Sequence, residues 1–270
     1  MSIQLSGLSI EQTKEIIPEG TILLGYVGSI SHNTYVPKND PNSIDDKDVM
    51  GVCILPLSEY FGLERDPKLK GKRNVNNEQQ EVQQGEWDVV IYEIKKYIKL
   101  LLQQNPNVIS LLWLRDNHYI HISELGRLLI ENRDIFISKC VYKSFTGYAY
   151  NQLHKMENFA FEGYMGAKRK ELVEKFSYDT KNAAHLIRLL KMGIEFLTEK
   201  KLNVFRHDAE ELKSIKRGEW PLDRVKQEAE RLFVLAQEAF VRSTLPDEPD
   251  YKRAEELLMK IQRKFHAPVS

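Results

Sequence analysis

Two aspartates stand two residues apart at the head of an apolar run, Asp46 and Asp48 in SIDDKDVMGVCILP. Residues two apart on a strand share a face, so the spacing predicts two carboxylates side by side. Like charges that close are costly unless a cation neutralises them, and hard oxygen ligands suit Mg²⁺. Asp88 opens a second apolar run, WDVVIYEI. If the two strands are neighbours, the three carboxylates could hold a pair of Mg²⁺ ions of the kind that assists phosphoryl transfer.

A Gly-Ser pair follows the apolar run TILLGYV, and its residues suit an anion. Gly28 would let the backbone approach a phosphate closely, and the N–H and hydroxyl of Ser29 could donate to it. His32 lies in the same loop and could contact phosphate or be an ordinary loop histidine. Taken singly, these motifs are also compatible with a turn and a solvated loop.

A third group lies far along the chain in TKNAAHLIRLL, where Lys181, His185 and Arg188 are spaced i, i+4 and i+7. At about 100° per residue this spacing puts them on one face of a helix, away from its apolar residues. The pattern alone favours a solvated polar face, and a phosphate-binding face is the alternative.

The elements that would position these residues differ between the two halves of the chain. Residues 9–17 read as a helix with Ser9 and Gln12 as a capping box, and short apolar runs predict buried strands. The strands are expected at 21–28, 48–56 and 87–94, the last running into a helix over 95–104. Residues 63–86 lack apolar periodicity, which predicts a mobile insertion.

Beyond about residue 140 every apolar pattern has helical spacing. The predicted segments are 148–156, 167–176, 180–200, 221–243 and 250–265. We therefore expect an α+β core over residues 1–140 and a helical domain over 141–270.

Composition limits the classes of partner. The chain of 270 residues has 39 basic and 39 acidic side chains, so its bulk charge does not indicate a nucleic-acid or membrane partner. The two cysteines are too few for a disulfide framework, and no apolar run approaches the length of a membrane span. These features predict a soluble, cytoplasmic protein.

The order of these features resembles the nucleotidyltransferases of the DNA polymerase beta superfamily. The similarity is greater to a bacterial and phage group of predicted nucleotidyltransferases, and it is carried by four stretches. They are GSISHNT, NSIDDKDVMG, DVVIYEIKKYIKLLLQQNPNV and MGAKRKELVEKFSYDTKNAAHLIRLLKMGIEFL. The resemblance implies a small mixed sheet backed by helices, followed by a helical domain that completes the cleft.

The resemblance also implies roles. Gly28 and Ser29 would grip the triphosphate, Asp46 and Asp48 would hold both metals, and Asp88 would bind the catalytic metal and help to deprotonate the acceptor.

The tail of the group implies further contacts. Lys181, His185 and Arg188 would form a cationic face closing over the triphosphate or the acceptor. Lys168 and Arg169 are weaker candidates for the same work, since both side-chain types bind phosphate.

Three positions leave alternatives or depart from the group. Glu93 competes with Asp88 as the third carboxylate, but it falls on the other strand face and near a helix start, so Asp88 is preferred. Asp45 points away from Asp46 and suits a cap or turn. Asn33 stands where the group usually has glycine, and asparagine tolerates the left-handed backbone better than most residues.

The implied reaction is Mg²⁺-dependent transfer of a nucleoside monophosphate from a nucleoside triphosphate to an acceptor hydroxyl, with release of pyrophosphate. ATP is the favoured donor, Mn²⁺ could replace Mg²⁺, and the acceptor could be a small molecule, an RNA end or a protein side chain. The alternative is a non-catalytic, antitoxin-like binding protein that retains the fold. The three carboxylates favour the enzyme.

Overall fold

The computed structural model describes residues 5, 9–37, 47–62, 72–73, 79–84, 87–157 and 167–268. The fold is α+β, as the sequence predicts. Its strands are β1 (Thr21–Tyr26), β2 (Lys47–Cys53), β3 (Lys72–Arg73), β4 (Gln79–Gln84), β5 (Trp87–Glu93) and β6 (Tyr119–Ile122).

In the described part of the chain these strands form one six-stranded mixed sheet in the order β3-β4-β5-β2-β1-β6. The pair β2 and β5 is parallel, and the other neighbours are antiparallel. The two aspartate-bearing strands are therefore neighbours, which was the condition for the three-carboxylate hypothesis, and their first residues lie at the same end of the sheet.

The described helices are numbered along the chain. They are α1 (Ile10–Ile16), α2 (Gly28–Ser31), α3 (Leu57–Phe61), α4 (Ile94–Leu102), α5 (Pro106–Ile109), α6 (Glu124–Glu131), α7 (Cys140–Glu157), α8 (Ala167–Phe176), α9 (Thr180–Glu199), α10 (Ala209–Lys216), α11 (Leu222–Arg242) and α12 (Tyr251–His266). Short 3₁₀ turns follow α5, precede β6 and follow α6.

Two apolar clusters lie in the structure. The smaller joins α1 to one side of the sheet through residues such as Ile16 and Val89. The larger contains strand residues such as Ile22 together with helical residues such as Phe196, so it crosses position 140. The division into two domains at that position stays a prediction.

Local signals account for much of this architecture. Ser9 and Gln12 form the predicted capping box of α1, and α8 occupies the predicted residues. Strands β3, β4 and β6 and helices α2, α3, α5, α6 and α10 were not predicted, and β3 and β4 lie inside the predicted insertion. Strand β4 has only one apolar residue, Val82, and is held by its backbone pairing with β5. Residues 63–71, 74–78 and 85–86 of that insertion lie outside the described residues, so its mobility stays a prediction.

Among the helices that the structure describes, none has the length and apolar character to cross a membrane.

Candidate active site

The chain leaves β1 through a turn that only glycine can make. Gly28 has a φ of +59°, and a Cβ on it would lie 2.0 Å from Oδ2 of Asp48. The N–H of Val27 also donates to the carbonyl oxygen of Asp48, 2.9 Å away. The Gly28–Ser29 turn is thus held against the carboxylate-bearing strand β2.

The turn carries the hydroxyl of Ser29, which is available for a hydrogen bond with a ligand. Ser29 Oγ is buried and makes no hydrogen bond to any described group. A buried hydroxyl without a partner is costly, which is typical of an atom that a ligand satisfies. Asn33 closes the turn with a φ of 60°, so it adopts the left-handed backbone expected of a glycine substitute.

Replacing Gly28 by alanine tests this close approach. We expect Gly28→Ala to lower the unfolding free energy by about 1–3 kcal/mol, since it adds a left-handed Cβ and a clash with Asp48. We also expect nucleotide binding to be lost. Urea denaturation and ATP titration measure the two effects, and Gly147→Ala is the control, since a Cβ there meets no atom within 4 Å. A fully stable variant would contradict the account.

Two of the three predicted carboxylates are brought together. Asp48 and Asp88 are directly opposite each other in the parallel pair of β2 and β5, where neighbouring strands lie about 4.8 Å apart. Both line the same cavity as Gly28 and Ser29. Asp46 and Asp45 lie outside the described residues, so their roles stay predictions.

Glu93 serves another purpose. It lies on the opposite face of β5 from Asp88, and its side chain accepts from the N–H groups of Lys95 and Lys96 as the N-cap of α4. It also accepts a 2.6 Å hydrogen bond from the Tyr60 hydroxyl. Glu93 does not line the cavity, which agrees with the preference for Asp88.

Helix α9 supplies the facing wall. Lys181, His185 and Arg188 all line the cavity and are partly buried, so they do not form a solvated face. Lys216 of α10 joins them, and its Nζ donates to the carbonyl oxygen of Thr34 at 2.9 Å. Sequence reasoning missed Lys216 because α10 is short and was not recognised.

Arg188 carries a charge that is poorly compensated. No carboxylate among the described residues pairs with it, and its Nη1 donates to the sulfur of Met192 at 3.1 Å. Burial, aided by the nearby Arg206 guanidinium, lowers the pKa of Arg188 to about 9. It remains protonated at neutral pH, so the cavity wall holds a buried positive charge that a bound anion would stabilise.

The two histidines of the site are neutral. Burial and the positive charge of Arg188 lower the pKa of both His32 and His185 well below 6.5. His185 therefore adds no charge at neutral pH, which corrects the prediction of a cationic histidine. Its Nε2 is buried without a hydrogen-bond partner in the described structure.

His32 is fixed by a distant loop. Its Nδ1 lies 2.9 Å from the carbonyl oxygen of Val204, which can only accept, so Nδ1 carries the proton. In the neutral ring Nε2 is then an acceptor. His32 lines the cavity as predicted, but a contact from Nε2 to phosphate would require a second proton.

These pKa shifts predict how stability depends on pH. The unfolded imidazoles bind protons below about pH 6.5, whereas the buried ones do not, so the folded state loses stability as the pH falls through that value. We expect His185→Gln to reduce the slope of unfolding free energy against pH by up to about 1.4 kcal/mol per pH unit between pH 6.5 and 5.5. Urea denaturation at several pH values measures the slope, and equal slopes would contradict the assignment.

The weaker candidates lie elsewhere. Arg169 donates to Asp179 Oδ2 at 2.7 and 3.0 Å and to Asn182, so it stabilises the start of α9 and does not line the cavity. That contact corrects its predicted phosphate role. The side chain of Lys168 lies outside the described part of the structure.

A second buried arginine holds the loop behind His32. Arg206 binds both carboxylate oxygens of Glu195, at 2.7 and 2.8 Å, and Asp208 at 2.8 Å. Although burial opposes it, these hydrogen bonds raise the pKa of Arg206. The backbone N–H of Arg206 donates to the carbonyl oxygen of His32 at 3.3 Å. The sequence reasoning did not single out Arg206.

The cavity between the sheet and α9 has a volume of about 420 Å³, within the range of small-molecule sites. Carboxylates occupy the sheet side and cations the helical side. Further lining residues offer apolar surface and neutral polar groups, and they include Val90, Tyr92, Asn107, Ser110 and Leu212.

Comparison with known families agrees with this geometry. RlaP, the RNA repair pathway DNA polymerase beta family, matches residues 39–260. The chain belongs to this family. The resemblance to DNA polymerase beta superfamily nucleotidyltransferases is therefore confirmed, and in this RlaP member the match includes the carboxylate strands and α9 but begins after the Gly28–Ser29 turn.

Other comparisons add little. A solved nucleotidyltransferase-like protein from Exiguobacterium sibiricum 255-15 is similar over 96% of this chain and 82% of its own, with 10% identity and a TM-score of 0.27. That similarity is too low to assign any residue. No curated protein matches this chain in sequence.

Proposed function

We propose that this protein transfers a nucleoside monophosphate from a nucleoside triphosphate to the 3′-hydroxyl of an RNA. The acceptor oxygen forms a bond to the α-phosphorus, the bond from that phosphorus to the bridging oxygen breaks, and pyrophosphate leaves. The observation that carries the proposal is the polarity of the cavity, where Asp48 and Asp88 adjoin on one wall and Arg188, which no described carboxylate pairs with, lies on another.

The carboxylates fit a divalent metal. Asp48 and Asp88 offer hard oxygen ligands side by side, and they would hold Mg²⁺, with Mn²⁺ as a substitute. The described residues contain no group of three possible metal ligands, so Asp46 is the proposed third. Bound ions would neutralise the charge of the phosphoryl oxygens. Asp88 would also take up the proton of the acceptor hydroxyl.

The remaining polar groups suit a triphosphate. Ser29 Oγ has no hydrogen-bond partner in the part of the chain that the structure describes, and Lys181, Arg188 and Lys216 bring positive charge to the same cavity. Lysine offers point charges, and arginine offers two parallel donors. The His185 Nε2 has room for a hydrogen bond with the ligand. Catalysis would come mainly from position and charge neutralisation.

The donor base would lie against the apolar part of the cavity. Tyr92 offers an aromatic surface, and Asn107 and Ser110 offer groups that could read base edges. We propose ATP as the donor.

The family description, RNA repair pathway, supports an RNA end as the acceptor in preference to a small molecule or a protein. Both cysteines are free, which fits the reducing cytoplasm, where we place the protein.

Thermal unfolding tests nucleotide binding. A ligand present at about 100 times its dissociation constant stabilises the folded state by about 2.7 kcal/mol, so ATP with Mg²⁺ should raise the Tm of the parent by several degrees. We expect no such rise in Arg188→Met. An unchanged Tm in the parent at millimolar ATP would argue against a nucleotide site.

A further inference from the structure

An exposed arginine, Arg115, lies over the aromatic ring of Phe205. The Arg115 Cζ lies 3.2 Å from the centroid of the Phe205 ring. Arg115 is exposed, and no carboxylate in the described chain pairs with it. Since the ring covers one face of the guanidinium, its position is fixed while its N–H groups remain accessible.

Two histidines border this pair. The ring of His207 is exposed and stands edge-on to Phe205, with centroids 6.3 Å apart and an interplanar angle of 72°. The ring of His118 lies 6.1 Å from Phe205 at 33°. We refer to Arg115, His118, Phe205 and His207 as the platform.

The loop that carries Phe205 is anchored on His32, which follows the Gly28–Ser29 turn. Val204 and Arg206, on either side of Phe205, are buried and bind the ring and carbonyl oxygen of His32. Phe205 and His207 alternate with them and are less buried. One short segment therefore binds the cavity-lining residue His32 with one set of residues and carries Phe205 and His207 with the other.

The opposite side of the platform is anchored on β1. Tyr119, which follows His118, pairs with Gly25. A Cβ on Gly25 would lie 3.2 Å from the carbonyl oxygen of His118, so the 3₁₀ turn lies against the end of β1. Gly25 is three residues from Gly28, and His32 lines the cavity, so the platform is attached on both sides to segments that carry the candidate active site.

We propose that the platform binds single-stranded nucleotides at the 3′ end of the acceptor RNA, next to the cavity that holds the nucleoside triphosphate. This inference rests on the proposed function. Bases of single-stranded RNA stack on aromatic rings and on guanidinium planes, and an arginine held by a ring provides both a surface and phosphate donors.

The charge of the platform indicates how it would bind. Asp116 is exposed beside Arg115, and burial with the Arg115 charge lowers the pKa of His118. The platform therefore carries little net positive charge. Stacking would provide most of the affinity, and the salt dependence of RNA binding should be shallow.

The affinity of the protein for single-stranded RNA tests the platform proposal directly. Fluorescence anisotropy would follow a short single-stranded RNA, labelled at its 5′ end, in the presence of the full chain and Mg²⁺. We expect Arg115→Ala to weaken binding by about tenfold, and Arg115→Lys to restore little, because lysine keeps the charge and loses the planar group. Arg115 is exposed, so these variants should fold.

The chain offers a matched control. The Arg224 Cζ lies 3.7 Å from the ring of Trp220, and Arg224 is also exposed, but the carbonyl oxygen of Trp220 accepts from Tyr178, which does not line the cavity, whereas the neighbours of Phe205 bind His32, which does. Arg224→Ala should leave RNA affinity unchanged. Equal losses in the two alanine variants would overturn the platform, as would parent-like binding by Arg115→Ala.

The effect of ATP on the Tm distinguishes a failure of the platform proposal from a failure of the proposed function. If ATP raises the Tm of parent and Arg115→Ala alike and the parent binds no RNA, the platform proposal fails and a protein or small-molecule acceptor takes its place. If ATP leaves the parent unchanged, the proposed function itself fails.

Discussion

Asp88→Asn is expected to lower the rate of nucleotidyl transfer on the order of a thousandfold and to leave the fold intact. The substitution keeps the shape of a partly exposed side chain. It removes the negative charge of one of the two neighbouring carboxylates that would hold the metal, and with it the group that would take up the proton of the acceptor hydroxyl. Asp48→Asn should have a comparable effect. Pyrophosphate release at saturating ATP measures the rate, and circular dichroism checks the fold.

Glu93→Gln is the informative comparison. Glu93 caps α4 and binds Tyr60 on the far face of β5, so its loss should lower stability and spare the chemical step. A large rate loss in Glu93→Gln, together with a nearly active Asp88→Asn, would reverse the assignment of the third carboxylate.

Arg188→Met is expected to abolish ATP binding while stabilising the ligand-free protein by about 1 kcal/mol or more. The parent folds with a buried guanidinium that has no carboxylate partner among the described residues, so an apolar side chain of similar length removes a cost. The same change removes a donor that the triphosphate needs. Urea denaturation without ligand and ATP titration measure these opposite effects.

Arg206→Met provides the contrast, since Arg206 is also buried but is paired with Glu195 and Asp208. Removing it leaves two carboxylates without their partner, which should cost about 3–5 kcal/mol. If Arg188→Met destabilised the protein as much as Arg206→Met, the charge of Arg188 would not be the uncompensated one.

The strands that hold the site could be predicted from local sequence. β1, β2 and β5 are short apolar runs bounded by glycine, proline or acidic residues, and α9 has a long apolar stripe. A strand periodicity of two also separates the faces of Asp88 and Glu93 correctly. The parallel pairing of β2 and β5 was not predicted, since local patterns do not show which strands are neighbours.

Other features depend on tertiary contacts that no local pattern contains. Strand β4 pairs through its backbone despite the polar sequence QQEVQQ, and α10 is too short to have a clear apolar stripe. The spacing of Lys181, His185 and Arg188 predicts their common face, but whether that face meets water or a cavity depends on the sheet that packs opposite. The burial of His185 is the main cause of its lowered pKa, which leaves its ring neutral.

Label transfer from ATP to RNA tests the central proposal most directly. The parent, incubated with Mg²⁺, single-stranded RNA and ATP labelled at the α-phosphate, should extend the RNA by a labelled nucleotide and release pyrophosphate, whereas ATP labelled at the γ-phosphate should leave the RNA unlabelled. Asp88→Asn should transfer label to the RNA from neither form of ATP. Label arriving from the γ-phosphate, or α-label transferred equally by Asp88→Asn, would contradict nucleotidyl transfer at this site.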